Sequence, residues 1–171
     1  MFREMRRKNQ QLPIEMVEEI LRDATHGVLA IAGENGYPYA VPISYVYTDD
    51  GKIIFHSAKV GHKTEALRRE PKMSLCVVDE DHVVPEEYTT YFRSVIAFGT
   101  VRILEDPKEI YESISKLGAR YWPGHEEERD REIKAEFDAL CMFEMTIDHI
   151  TGKEAIEYVT ARMEGGETGR R

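Results

Sequence analysis

Apolar positions recur along this chain with two spacings, one suited to short helices and one to strands. In the segment LPIEMVEEILRDA, Ile14, Val17, Ile20 and Leu21 fall on one helical face and Pro13 suits a first turn, so a short N-terminal helix is predicted. The run HGVLAIA (26–32) then reads as a strand. It stops at GENGYP, where Asn35 and Gly36 give the strongest hairpin signal in the chain. YAVPISYVYT (39–48) is rich in β-branched and aromatic residues, and Asp49, Asp50 and Gly51 turn it into KIIFHSA. Pro42 cannot donate to a ladder, so its part of the strand belongs at an edge, at a bulge or against a ligand, and a ligand is the favoured reading.

Further on, GHKTEALRRE (61–70) carries helix formers and ends at Pro71, and KMSLCVVDE returns to strand. Residues 81–87 are polar and contain Pro85, which predicts a loop, while residues 88–104 form a long β-rich run that Gly99 bends or divides. Asp106 with Glu109 suggests a capping box, Pro107 fits the first turn, and the helix is expected to end near Gly118. A second, charged helix follows Trp122, Pro123 and Gly124. LCMFEMTIDHI is the last strand, and the segment from Ala161 onward reads as a polar tail. The expected organisation is one domain over 1–160 with a tail over 161–171. Short hairpin-linked strands with inserted helices fit a mainly β protein built on a partly open antiparallel barrel, not a parallel βαβ sheet.

Composition narrows the role. The 171 residues are 42% hydrophobic and 32% charged, the range of a folded domain with one sizeable core. A formal net charge of -9 disfavours nucleic acid and anionic membrane as the main partner, yet a few aimed cations and backbone N–H groups can still hold one anion. No apolar run approaches membrane-spanning length, and Cys76 and Cys141 lie in apolar strands, so a reduced, cytoplasmic setting is expected.

The candidate chemistry gathers in residues 55–63. Ser57, His56, His62 and Lys63 surround a strand end and a helix start, where free N–H groups and the helix dipole favour a phosphate. Read alone, the segment fits either an anion site or an ordinary surface helix start. It is not a P-loop, because the glycine that motif requires before Gly-Lys is absent. His56, His62, Cys76 and His82 match no zinc spacing, and no metal is expected. His26, at the start of a strand, is the weak candidate for a proton donor or substrate contact, with a structural role as the alternative.

In order, MRRKNQ, HGVLA, GYPYAVPISYVY, GKIIFHSAKVGHK, EPKMSLCVVDE, YFRSVIAFGTVRILED and ITGKEA resemble the FMN-binding split β-barrels related to pyridoxamine 5′-phosphate oxidase, in the nitroimidazole-resistance branch. The resemblance implies a homodimer with FMN at each of two subunit interfaces and the phosphate held by His62 and Lys63 near Ser57. It also implies that Pro42, Ile43, Ser44 and Tyr45 lie along the isoalloxazine edge, and that Arg93 and Ser94 approach from the partner chain. Ser44, Tyr45 and Arg93 are of the types that support the charge of a reduced flavin, and Trp122 and His125 could shape the open face above it. The activity implied is transfer of hydride or electrons to a small acceptor such as a nitroimidazole. The C-terminal substrate segment of the vitamin oxidases is not found, so their reaction is not expected. A binding or sensing module for flavin, or for haem through His26, His56 or His125, is the alternative.

Overall fold

Residues 1–165, which the computed structural model describes, hold five helices and seven strands. The first helix, α1 (Ile14–Asp23), buries Val17, Ile20 and Leu21, while Ile14, expected on the same face, is exposed at the helix start, where Pro13 is the N-cap. β1 (Gly27–Ala32) and β2 (Pro38–Ile43) form the predicted hairpin, with Asn35 and Gly36 both at positive φ, 54° and 79°. The run that follows is broken. β2 ends at Ile43 and β3 (Val46–Tyr47) begins after Ser44 and Tyr45, before β4 (Lys52–Ala58).

That break shapes the molecule. The strand order is β2-β1-β5-β6-β7-β4-β3, so β2 and β3 are opposite edges of the sheet although they are neighbours in sequence. Ser44 and Tyr45 alone connect them, and three peptide steps reach at most about 11 Å. The sheet must therefore coil until its edges nearly meet. The fold is the expected mainly β, antiparallel split barrel with inserted helices, and no ladder among the described residues closes the seam.

α2 (His62–Arg69) follows β4, as predicted. β5 (Lys72–Val84) and β6 (Thr89–Ile103) are longer than the pattern implied: residues 81–84 pair with 89–92 in a projecting hairpin arm. Polar residues mask a strand there because both faces of the arm meet water, which removes the usual alternation. Gly99 bends β6 without dividing it. The register slips at Phe98 and Gly99, and a Cβ on Gly99 would lie 2.2 Å from the Thr146 carbonyl oxygen.

α3 (Pro107–Tyr121) runs a little past Gly118, and the side chain of Asp106 accepts the Glu109 N–H at 2.9 Å. Only that half of the capping box forms, since the Glu109 carboxylate pairs with Arg102. α4 (Glu126–Glu136) is the charged helix, and β7 (Leu140–Glu154) lies between β6 and β4, joining the two halves of the sheet. α5 (Ile156–Met163) was not foreseen, and it carries the chain through 161–163, where the tail was expected to begin. Its eight residues give a weak periodic signal, and tertiary contacts hold it: Val159 is buried and Arg162 Nη1 lies 2.6 Å from Glu154 Oε1. The rest of the expected tail, 166–171, lies outside the described residues. Inside the barrel Phe55 stacks on Phe143 at 5.0 Å, and Tyr45 crosses the core to donate its hydroxyl to the Leu21 carbonyl at 2.9 Å.

Candidate functional site

The sequence builds a cationic corner where β4 hands over to α2. Thr64, buried in the first turn of α2, donates its hydroxyl to the Ala58 carbonyl at 2.7 Å and so fixes the helix start against the strand end. Gly61 at the N-cap supplies no side-chain cap, which leaves the first-turn N–H groups without that partner. Lys63 Nζ donates to the His56 carbonyl at 3.4 Å. Burial lowers the Lys63 pKa, and no carboxylate among the described residues counters the shift. His62 stacks on Tyr39 of β2 at 4.1 Å, a support that no sequence spacing announced. His56 keeps solvent contact, yet the packed wall around it, and then the Lys63 charge, hold its imidazole below the ordinary value of 6.5. The structure thus gathers His56, Ser57, His62 and Lys63 around one strand-to-helix turn.

A cavity of about 680 Å³ opens beside this corner, between the ends of β4 and β7 and the pair α3 and α4. His56, Ser57 and Ala58 line one side, Ile114, Gly118 and Trp122 a second, and Arg129 and Ile133 a third. Such a volume is of the usual size for a cofactor or small-molecule cavity, roughly 300–1,000 Å³. Trp122 is half exposed and stacks on His125 at 3.7 Å. Sequence reasoning singled out these two aromatics but missed Ile114, Gly118, Arg129 and Ile133. Helical spacing was their only signal, and it does not distinguish a cavity wall from a buried face.

The remaining candidates lie elsewhere. Pro42 is on the edge strand β2, opposite Val28, so the edge itself explains its place in the ladder and no ligand is needed for that. Ile43 and Tyr45 turn into the core and Ser44 is exposed. The backbone of Tyr45, expected to face a flavin, is engaged within the chain: its N–H donates to the Tyr121 hydroxyl at 3.1 Å, and its carbonyl lies 3.1 Å from the same oxygen. That hydroxyl also reaches the Thr25 carbonyl at 2.5 Å, so the end of α3 pins the seam.

Arg93 does not present a free guanidinium. It is buried, 3.5 Å from Glu80 and 3.7 Å from Glu154, with its guanidinium over the Tyr158 ring at 4.3 Å. Ser94 sits on the opposite face of β6 and is half-buried. His26 is exposed, within 3.2 Å of the Thr25 hydroxyl, and does not line the cavity. Among the described residues no three His, Cys, Asp or Glu side chains are gathered as a metal would need, and no helix is long and apolar enough to cross a membrane.

The structure is thus a split antiparallel barrel with a cationic corner beside a largely apolar cavity. Residues 14–154 match the pyridoxamine 5′-phosphate oxidase family, and the chain belongs to that family. Among solved structures, it is similar to a conserved hypothetical protein of Mycobacterium tuberculosis at 18% identity, covering 88% of this chain and 90% of that one with a TM-score of 0.76. A protein of Bacteroides thetaiotaomicron named for 5-nitroimidazole antibiotic resistance matches at 22% identity over 84% and 86%, TM-score 0.70. The flavocytochrome Anf3 of Azotobacter vinelandii matches at 22% identity over 89% and 72%, TM-score 0.76. No curated protein sequence matches.

Proposed function

We propose that this protein is an FMN-dependent oxidoreductase that reduces a small acceptor such as a nitroimidazole or another nitro compound. The observation that carries the reading is the β4 and α2 corner: an ammonium with no carboxylate partner among the described residues, two imidazoles, a hydroxyl and a helix N-terminus where only the Gly61 N–H has a side-chain acceptor, the Glu65 carboxylate at 3.3 Å, beside a cavity of about 680 Å³. This donor set fits a phosphate monoester. His62, Lys63 and Ser57 would hold the phosphate, and the apolar walls would receive a planar ring. FMN supplies the hydride or electron transfer, so the chain needs no nucleophile of its own. Its residues bind, orient and shield. Family membership and the likeness to proteins named for nitroimidazole resistance and as a flavocytochrome support the reading.

A homodimer belongs to this proposal. On the outer face of the sheet Val28, Cys76 and Ile96 stand in one register row, with Val78 and Phe98 exposed nearby, an apolar surface suited to a second copy. Ser94, half-buried on that face, would approach the partner's site in such a dimer. A cytoplasmic location goes with two cysteines that are free thiols.

The test is to purify the protein, record its spectrum with added FMN, reduce it anaerobically, and add a nitroimidazole. Flavin bands followed by reoxidation are expected; bound flavin with no reoxidation would end the enzyme reading. A second reading, haem binding or redox sensing without turnover, is favoured by one observation: His56 lines the cavity with its pKa lowered, hence neutral and able to ligate iron. A Soret band in place of flavin bands would select it.

A further inference from the structure

Among the described residues that line the cavity, Arg129 is the only lysine or arginine. Its side chain is 17% exposed, its Nη2 lies 3.7 Å from Glu126, and its Nη1 is shut away from solvent with no acceptor. A guanidinium has five donors in a fixed fork, so a single distant carboxylate leaves most of that capacity unused. The wall is also built to admit it. Gly118 sits inside α3, where glycine is a poor choice, and a Cβ there would meet Arg129 Cδ at 2.7 Å. Ile114 and Gly118 lie one turn apart on α3 and Trp122 is its C-cap residue; all three line the cavity, and the stem of Arg129 packs over Gly118. Trp122, stacked on His125, adds an aromatic surface at the same wall.

We infer that the space between α3 and α4 is a subsite for a planar aromatic monoanion, an aromatic carboxylate whose charge pairs with Arg129 and whose ring packs against Trp122. Glu128, Glu132 and Glu136, all exposed, line the same cavity and limit a ligand at this α3 and α4 wall to a single negative charge, the FMN phosphate being assigned to the β4 and α2 corner instead. The inference deepens the flavoprotein reading by naming the class in which its acceptor is to be sought, and it rests on that reading for the acceptor role alone.

Trp122 is the only tryptophan of the chain, so its emission reports on this wall directly. The experiment titrates flavin-free protein with para-nitrobenzoate and with its neutral isostere para-nitrobenzamide, and repeats both with R129Q. Saturable quenching by the acid, at a Kd at least about tenfold below that of the amide, is expected in the wild type, and R129Q should erase the preference while the amide still binds. Equal affinities in the wild type, no saturable quenching, or a preference that survives R129Q would overturn the inference. The wild-type comparison stands even if R129Q fails to fold. FMN titration, followed by visible absorbance, is scored separately: failure of FMN with the acid preference intact sinks the flavin reading alone, and the reverse sinks only this subsite.

Discussion

Two cations of this barrel sit in opposite electrostatic settings. Lys63 is half-buried beside a cavity, with a carbonyl for a partner and, among the described residues, no carboxylate to offset the cost of its burial. Arg93 is buried between Glu80 and Glu154, and the chain of charges runs on to Arg162 of α5, with Tyr158 donating to Glu80. A cation already matched by acids is part of the scaffold. One left unmatched near a cavity has capacity for a ligand.

The largest effect should come from the scaffold cluster. Glu154→Ala leaves two guanidinium groups beside an empty carboxylate site and should cost about 3–5 kcal/mol, read as a lower urea midpoint. A loss below about 1 kcal/mol would mean that the cluster is solvated and the contrast false. Next comes the corner: Lys63→Ala should weaken FMN binding by roughly 10- to 100-fold while stability moves by less than about 0.5 kcal/mol. A stability loss as large as that of Glu154→Ala, or unchanged FMN affinity, would put Lys63 in the scaffold as well.

Tyr121→Phe should be smaller, about 1 kcal/mol, because it removes the hydroxyl that accepts from Tyr45 N–H and reaches Thr25, and leaves the ring in place. Thermal melts of wild type and variant compare it directly. The smallest effect is on pH dependence. The folded protein holds the His56 pKa below 6.5, so between the two values the unfolded chain binds more protons. Stability should therefore fall as pH drops below about 6.5 and be unaffected by this group above it. His56→Asn should flatten that acid-side slope in denaturation curves measured across pH; an unchanged slope would show that His56 titrates normally.

Much of the scaffold was legible because its signals are local. Asn35 and Gly36, Asp49 to Gly51, Pro71 and Pro107 mark turns and ends by backbone chemistry alone, and the cationic corner is a contiguous stretch. What escaped depends on distant partners. Neither the burial of Arg93 between acids distant in the sequence, nor the Tyr121 bond to the seam, nor Arg129 over Gly118 has a spacing that announces it. Ile14 erred in the other direction: the periodicity was read correctly, and the end of the helix exposed the residue, while Pro42 lies on a sheet edge, one of the places its missing N–H allowed.

The position of β7 bears on how the chain is made. β4 pairs with β3 and β7 only, and β7 is the last strand to be synthesised. Until it emerges, the β3 and β4 hairpin has no place in the sheet, and both β4 and β6 carry open edges of the kind that recruit other chains. Vectorial synthesis therefore delivers the keystone last. A nascent or prematurely terminated chain that stops before Leu140 is not a smaller barrel but two unjoined sheet fragments, prone to aggregate until the missing strand arrives.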